Sequence, residues 1–152
     1  MMLPDLHATQ ALGRRLADAL RAEQLPGCLL LFRGPLGAGK TALIRALLKR
    51  LGVTDTVRSP SYTLIEDYPI ADRLAHHVDL YRLEAAAELE NLGFAELLNG
   101  RDICLVEWPE RAPQLIAHAD LQVAMSIAGA GRRVDWQALT PLGRRLTEWT
   151  PV

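Results

Sequence analysis

The sequence contains little cysteine, almost no excess charge and no long apolar run, and each of these shortages argues against a class of protein. Its 152 residues include two cysteines, Cys28 and Cys104, and both lie in apolar runs, which favours buried thiols over a disulfide. The formal net charge of −1 gives no electrostatic reason to expect direct, non-specific binding to nucleic acid. No apolar run approaches the roughly 20 residues that span a bilayer, so we expect no membrane contact.

Other absences concern domain organisation and location. The first five residues, Met-Met-Leu-Pro-Asp, lack the basic and apolar regions of a signal peptide, and we therefore expect a cytoplasmic protein. The chain shows no internal repeat, linker or low-complexity tract. Because its length suits one domain with a substantial core, residues 1–152 are predicted to form a single domain.

A glycine-rich motif is the most informative feature of the sequence. Residues 34–41, Gly-Pro-Leu-Gly-Ala-Gly-Lys-Thr, fit the pattern G-x-x-x-x-G-K-[ST] of the P-loop, which wraps the phosphates of a nucleotide triphosphate. The single domain predicted for residues 1–152 is therefore a P-loop domain. The apolar run at residues 28–32 predicts a buried strand before it. Residues 42–51 carry leucine and isoleucine at helical spacing, and Gly52 stops the predicted helix. The order of strand, glycine loop and helix is the one that the motif requires.

The residue types in this loop match the chemistry of a phosphate site. Gly34, Gly37 and Gly39 allow positive φ and close approach of the backbone, so that N–H groups point inward and form an anion nest. The helix that begins at the loop directs its positive end at the same anion. Lys40 supplies a point charge for the β- and γ-phosphates, and the Thr41 hydroxyl is a hard oxygen ligand suited to Mg²⁺.

A P-loop also needs an acidic partner for Mg²⁺, and the sequence offers two. Asp79 follows the short run at residues 75–78, and Glu107 follows the fully apolar run at residues 103–106. In α/β sheets, ligands bind where the carboxyl ends of the strands meet, so both acids are expected at that edge. We predict that Glu107 is the metal-side acid because its strand is the more apolar. Asp79 is then either a metal contact through water or the group that positions the attacking water.

The remaining segments predict an α/β fold with a mixed parallel and antiparallel sheet, a three-layer sandwich like that of P-loop NTPases. A short connection near residues 70–73 makes the strands at 62–68 and 74–78 antiparallel, and residues 57–63 form a loop before them. Other predicted elements are a helix at 8–22, one or two short helices within 85–98, a hairpin of strands 121–127 and 132–136, and a last helix at 142–149.

Four ordered motifs resemble the bacterial TsaE family, also called YjeE. Besides the P-loop, they are Ser-Pro-Ser-Tyr-Thr-Leu at residues 59–64, His-Val-Asp-Leu-Tyr-Arg-Leu at 77–83 and Val-Glu-Trp-Pro at 106–109. The family pattern reads G-D-L-G-A-G-K-T, S-P-T-Y-T-L, H-x-D-L-Y-R-L and E-W-P in the same order. The resemblance runs from about Thr9 to Arg132, and the four motifs together are far more specific than the P-loop alone.

The resemblance implies a function that spacing does not reveal. TsaE proteins are ATPases that work with TsaB and TsaD, which make the threonylcarbamoyl modification on the adenosine beside the anticodon of tRNA. By this resemblance the chain is expected to bind ATP and Mg²⁺, to hydrolyse ATP to ADP weakly when alone, and to reset the TsaB–TsaD complex between turnovers. It would meet tRNA only indirectly, through that complex.

The resemblance also implies the roles of individual residues. Lys40, Asp79 and Glu107 would be catalytic, and Thr41 and Glu107 would hold the metal. Residues 59–63 resemble a switch-like loop near the γ-phosphate, and Trp108 is expected near the nucleotide. The residues expected to bind the nucleotide are Thr9, Leu36, Gly37, Ala38, Gly39, Lys40, Thr41, Ala42 and Arg132.

Two positions depart from the family pattern. Pro35 stands where the family usually has an acid, at a loop position whose side chain need not touch phosphate, and proline suits a turn of fixed φ. Ser61 stands in place of a threonine and keeps the hydroxyl. We expect phosphate binding to survive both changes.

Three other functions compete with an ATPase of this pathway. A small-molecule or nucleoside kinase would share the P-loop, yet it needs an acceptor pocket and an arginine-bearing lid, and the chain between residues 51 and 62 is short for the first. A GTPase-type switch would need an N-K-x-D segment, which is missing. In a nucleotide-dependent assembly factor, Lys40→Ala should abolish partner binding while Asp79→Ala spares it.

Some charged and ring side chains allow two interpretations. Adjacent strand residues point to opposite faces, so His76 and His77 are not expected to form a metal pair. Arg82, which closely follows Asp79, is either a phosphate clamp or a surface charge. Nothing in the chain resembles an obvious arginine finger, which is why slow hydrolysis is predicted for the protein alone.

Overall fold

The computed structural model describes residues 1–24 and 26–150, and these residues form one seven-stranded sheet with helices on both faces. The strands are β1 (Met2–Leu3), β2 (Cys28–Arg33), β3 (Ile65–Ile70), β4 (Arg73–Asp79), β5 (Ile103–Glu107), β6 (Leu121–Ala128) and β7 (Gly131–Ala138). The helices are α1 (Leu6–Ala22), α2 (Lys40–Arg50), α3 (Glu88–Asn91), α4 (Phe94–Leu97) and α5 (Pro141–Glu148), with 3₁₀ turns at Pro109–Arg111 and Pro113–His118.

The centre of the sheet is parallel and its margins are antiparallel. The strand order is β1-β7-β6-β2-β5-β4-β3, in which β6, β2, β5 and β4 run parallel. The β6–β7, β1–β7 and β3–β4 pairs are antiparallel. Because β2, β4 and β5 share one direction, their carboxyl ends meet at one edge, where Phe32 pairs with Glu107 and Glu107 with Asp79.

Two apolar clusters hold the layers together. Helices α1, α2 and α5 cover one face of the sheet, where residues such as Leu16, Leu47 and Leu146 are buried. The short helices and the 3₁₀ turns cover the other face around Leu89 and Phe94. The central strands are buried on both faces, which explains the uninterrupted apolar runs that predicted them. The predicted three-layer α/β fold is confirmed.

Most predicted elements are confirmed within a few residues. Helix α1 begins at Leu6, two residues before the predicted start, because Asp5 caps it by accepting a hydrogen bond of 2.8 Å from the amide of Ala8. The segment at 85–98 contains two short helices, α3 and α4. The terminal hairpin forms from β6 and β7, and α5 follows it.

The predicted start of a strand at Tyr62 was wrong. Strand β3 begins at Ile65, because residues 61–64 form a turn in which the amide of Leu64 donates to the carbonyl of Pro60 at 2.7 Å. Leu64 has a φ of 67°, a left-handed conformation that β-strands do not contain. The sequence also gave no sign of the two-residue strand β1 or of the 3₁₀ turns.

Both thiols are free and buried. Cys28 and Cys104 lie in neighbouring strands and belong to the clusters on opposite faces of the sheet. Burial raises the pKa of each thiol above its ordinary value, so both remain protonated and unreactive near neutral pH. The expectation of buried small apolar residues is confirmed.

Among the described helices, none is long and apolar enough to cross a membrane.

The crossing of α1 and α2 depends on a glycine. A methyl group added at Gly13 would lie 2.3 Å from the carbonyl oxygen of Leu43 and 3.0 Å from Cβ of Ala46. Helix propensity alone predicts that Gly13→Ala stabilises the protein by up to about 1 kcal/mol. We expect the opposite, a loss of about 1–3 kcal/mol, because a backbone carbonyl cannot move aside cheaply. Urea denaturation measures the difference.

Arg15→Ala is the matched control, because Arg15 lies on the exposed side of the same helix. Its effect should remain within about 0.5 kcal/mol. A Gly13→Ala protein as stable as the wild type would show that the two helices can move apart without cost.

Candidate functional site

A cavity of about 420 Å³ opens at the edge of the sheet where β2, β4 and β5 end. It brings together most of the residues that the sequence predicted to act, although they come from distant parts of the chain. Among those predictions, Ala38 and Thr9 do not line it. The lining residues are Leu6, Leu36, Gly37, Gly39, Lys40, Thr41, Ala42, Ser59, Ser61, Asp79, Tyr81, Glu107, Trp108 and Arg132.

The P-loop forms one wall of this cavity, and glycine makes its shape possible. Gly34, Gly37 and Gly39 have φ values of 143°, 78° and 100°. A side chain at Gly34 would also collide with the carbonyl oxygen of Met125, which lies 2.2 Å from the Cβ position. Helix α2 begins at Lys40, and its N-cap residue, Gly39, has no side chain that could cap the first turn. Its free N–H groups are therefore available to an anion.

The lysine of the motif lies over its own loop. The Lys40 ammonium group donates to the carbonyl oxygens of Gly34 at 2.5 Å and Pro35 at 3.0 Å. Burial lowers the pKa of Lys40 below the ordinary lysine value, while nearby carboxylates, led by that of Glu107, act in the opposite direction. Its charge is thus held at the mouth of the loop, where phosphate oxygens would meet it.

The acid at the end of β5 faces the first turn of α2. The Thr41 hydroxyl donates to the Glu107 carboxylate, with Oγ1 lying 2.9 Å from Oε1 and 3.1 Å from Oε2. On its other side, Oε2 of Glu107 lies 2.7 Å from Nε2 of His77. Both His77 and Glu107 are buried. The two predicted metal ligands are therefore adjacent, and a histidine holds one of them.

Asp79, at the end of β4, anchors the loop at residues 59–63. Its Oδ2 accepts a short hydrogen bond from the Ser59 hydroxyl, and its Oδ1 accepts from the amide of Tyr81 at 2.9 Å. The Ser61 hydroxyl lies 3.4 Å from that of Ser59. All four residues line the cavity. Asp79 therefore connects the strand edge to the loop that the sequence marked as switch-like.

Two aromatic rings close the side of the cavity next to the lysine. The Lys40 ammonium lies 4.3 Å from the centroid of the Trp108 ring, a distance typical of a cation–π contact. The Tyr81 and Trp108 rings are 4.8 Å apart and tilted by 51°. Trp108 has a φ of 59°, which turns the chain sharply after β5 and places the ring over the loop. Trp108 therefore lines the cavity beside Lys40, and its expected position near a bound nucleotide stays a prediction.

Arg132 and Thr9 lie beside the P-loop from opposite ends of the chain. The Arg132 guanidinium donates to the carbonyl of Gly37 at 3.0 Å, so β7 supports the loop. The Thr9 hydroxyl donates to the carbonyl of Asp5 at 3.3 Å. Thr9 lines a smaller cavity of about 110 Å³ that shares Leu6, Gly39 and Arg132 with the larger one.

Three residues that the sequence left open, His76, His77 and Arg82, do not line the cavity. His76 and His77 point to opposite faces, as predicted: His76 contacts Asp67 and Asp102, and not Glu107. Arg82 lies with its guanidinium carbon 4.2 Å from the centroid of the exposed Tyr62 ring.

Sequence reasoning missed two contacts in the site. It assigned no contact between His77 and Glu107, although a histidine two residues before Asp79 lies on the same face of the strand. It also missed Tyr81 as a partner for Trp108. The alternation of side chains along β4, which puts His77 on the same face as Asp79, was the available signal for His77. No local pattern indicated that the Tyr81 and Trp108 rings would meet.

The oxygen ligands present suit Mg²⁺. Within residues 1–24 and 26–150, no group of three or more histidine, cysteine, aspartate or glutamate side chains could hold a metal ion alone. Mg²⁺ is ordinarily held by one or two protein oxygens, with phosphate and water completing its shell. The adjacent hydroxyl of Thr41 and carboxylate of Glu107, beside a phosphate-binding loop, fit that demand.

Comparison with known proteins agrees with the motifs. A family model described as "Threonylcarbamoyl adenosine biosynthesis protein TsaE" matches residues 3–134. A protein of Haemophilus influenzae named "tRNA threonylcarbamoyladenosine biosynthesis protein TsaE" is 35% identical over 145 residues, covering 95% of this chain and 92% of that protein. A protein of the same name from Synechocystis is 43% identical over 118 residues, covering 74% and 71%.

A solved structure is similar as well. The crystal structure of Bacillus subtilis YdiB superposes with a TM-score of 0.73 at 28% sequence identity, covering 95% of this chain and 87% of that one. The similarity therefore extends over almost the whole fold and is not confined to the P-loop.

The position of the Lys40 ammonium predicts how strongly this side chain supports phosphate binding. Lys40→Met keeps an unbranched side chain that is one atom shorter, and it removes the charge. We expect it to raise the Kd for ADP roughly 10- to 100-fold, because a hydrogen bond to a charged group contributes about 1.5–3 kcal/mol. Isothermal titration calorimetry with ADP measures this change.

Lys49→Met is the control. Lys49 lies at the other end of α2 and donates to the carbonyls of Thr54 and Asp55, outside the cavity. It should leave the Kd unchanged. Equal affinities for wild type and Lys40→Met would contradict a phosphate site at this loop.

Proposed function

The chain belongs to the TsaE family of threonylcarbamoyl adenosine biosynthesis proteins, and we propose that it serves this tRNA modification pathway as a Mg²⁺-dependent ATPase. In this role it binds the TsaB–TsaD complex and resets it between turnovers through ATP hydrolysis. The observation that carries the ATPase assignment is the convergence of the P-loop, Thr41, Glu107 and Asp79 on one cavity. The partners and the tRNA pathway are inferred from the family and from its members' names.

The loop and its lysine would bind the triphosphate. The glycine conformations expose N–H groups, and the first turn of α2 is uncapped, so both favour negative charge in the cavity. Lys40 would exchange its carbonyl partners in the loop for phosphate oxygens, while Trp108 keeps its ammonium in place. Arg132 would keep Gly37 at the phosphates by its hydrogen bond to that carbonyl.

Thr41 and Glu107 would hold the metal. When bound, Mg²⁺ would supply positive charge that stabilises the negative charge developing on the phosphates in the transition state. Glu107 already faces the Thr41 hydroxyl, so their oxygens need little rearrangement. Preorganised charges of this kind are among the largest contributions to phosphoryl-transfer catalysis.

Asp79 or the loop at residues 59–63 would orient the attacking water. Asp79 lines the cavity, and its hydrogen bond with Ser59 joins the two candidates into one unit. A carboxylate at this edge can accept a hydrogen bond from water and aim it in line with the departing ADP. The loop carries Tyr62, which is 84% exposed, so a docked partner can reach the unit from outside.

The partner complex is therefore expected to control the rate. Among the described residues, Arg132 is the one arginine that lines the cavity. Its guanidinium already donates to the Gly37 carbonyl, so it does not have the position of an arginine finger. We propose slow hydrolysis by the protein alone and faster hydrolysis when TsaB–TsaD orders the loop at 59–63. The formal net charge of −1 supports an indirect relation to tRNA, and we propose a cytoplasmic location.

Asp79→Asn separates hydrolysis from binding. The Ser59 hydroxyl can rotate and accept from the new amide, and the Tyr81 amide still meets an oxygen, so the fold of the loop should be retained. We expect ATP hydrolysis, measured by phosphate release with and without TsaB–TsaD of the same organism, to fall about 100-fold or more. The affinity for ADP should not change.

Asp72→Asn is the control, because Asp72 lies in the turn before β4, away from the cavity. Two results would contradict the proposal: a wild-type rate that TsaB–TsaD does not raise, or a phosphorylated small molecule in place of free phosphate. The second would indicate a kinase. Full activity of Asp79→Asn would contradict the catalytic role of Asp79 and would assign the orientation of the water to the loop at residues 59–63.

A further inference from the structure

The Glu107 carboxylate has a neighbour that the proposed chemistry does not use. We infer that His77 is a positioning residue, which fixes the Glu107 carboxylate toward Thr41 and so sets how strongly Mg²⁺ supports nucleotide binding. Nε2 of His77 lies 2.7 Å from Oε2 of Glu107, and neither side chain is appreciably exposed, at 0% for His77 and 2% for Glu107. This inference rests on the proposed metal role of Glu107.

The sheet register explains why these two residues meet. Strands β4 and β5 are parallel neighbours, with Asp79 opposite Glu107 and His77 opposite Leu105. Side chains two residues apart share a face, so His77 lies on the Glu107 face, one pleat before Asp79. The imidazole therefore approaches Glu107 from the neighbouring strand β4, whereas Thr41 approaches from α2.

The surroundings of the imidazole determine which nitrogen carries the proton. Nδ1 of His77 is buried and has no hydrogen-bond partner among the residues that the structure describes. A proton there would be a buried donor without an acceptor, which costs more than leaving a lone pair unpaired. The proton belongs on Nε2, where a carboxylate oxygen accepts it at 2.7 Å. His77 thus acts as a hydrogen-bond donor to Glu107.

This donor restricts where the carboxylate can point. Glu107 has rotatable bonds and a cation nearby, since Lys40 is close enough for Glu107 to affect its pKa. Without His77, the carboxylate could turn toward that ammonium group or adopt several rotamers. Hydrogen-bond partners behind a metal ligand typically change metal affinity 10- to 100-fold when they are removed. The buried pair therefore keeps the oxygens aimed at Thr41.

The test measures the effect of Mg²⁺ on ADP binding rather than activity. Isothermal titration calorimetry gives the Kd for ADP in EDTA and across a series of MgCl₂ concentrations. For His77→Leu, we expect the half-saturating Mg²⁺ concentration to rise about 10- to 100-fold, with the Kd in EDTA unchanged. His77→Gln, whose amide can still donate toward Glu107, should restore most of the wild-type response.

His76→Gln is the matched control on the same strand. The His76 ring lies on the opposite face, where it contacts Asp67 and Asp102, so its loss tests general damage to β4. It should leave the Mg²⁺ dependence unchanged even if the melting temperature falls. His77→Asn, one methylene shorter than His77→Gln, should fail to restore the response, and this pair decides the question if His77→Leu does not fold.

The outcomes separate the inference from the function on which it rests. If the Kd of the wild-type protein for ADP is the same in EDTA and in MgCl₂, the metal role of Glu107 is overturned, and the inference with it. If wild type responds and His77→Leu responds equally, or if His77→Asn matches His77→Gln, only the inference is overturned. Equal weakening of ADP binding in EDTA and in MgCl₂ would overturn it too, because that pattern indicates general damage.

Discussion

The hydrogen bond between Thr41 and Glu107 is the contact on which the site depends. It joins the first turn of α2 to the end of β5, and so places the P-loop against the two strands that carry its acids. The strand order makes this possible, because β5 lies beside β2 and β4 lies beside β5.

Two loops lie on either side of this contact, and a side chain from a strand holds each of them. One is the P-loop, which Arg132 of β7 holds through the Gly37 carbonyl and whose lysine contacts the Trp108 ring. The other is the loop at residues 59–63, which Asp79 holds through Ser59. The side chains proposed to be catalytic or to hold the metal, those of Lys40, Thr41, Asp79 and Glu107, each have a protein partner, and such preorganisation is what catalysis by positioning requires.

Local patterns predicted the parts of this site but not their contacts. The glycines, the apolar strands and the acids that follow them are encoded within a few residues each, so the P-loop, Asp79 and Glu107 could be placed at one edge in advance. The pairing of His77 with Glu107 spans 30 residues and depends on the β4–β5 register. The turn before β3 likewise depends on the hydrogen bond from the Leu64 amide to the Pro60 carbonyl, and the residue type of Leu64 does not indicate that bond.

The most direct test of the proposed role counts threonylcarbamoyladenosine formed on tRNA per TsaB–TsaD complex, with ATP and this protein present. If hydrolysis at this site resets the complex, the wild-type protein should support many modifications per complex, and Asp79→Asn should support about one. Equal counts with the two proteins would show that ATP turnover here is not what renews the complex, and would contradict the account.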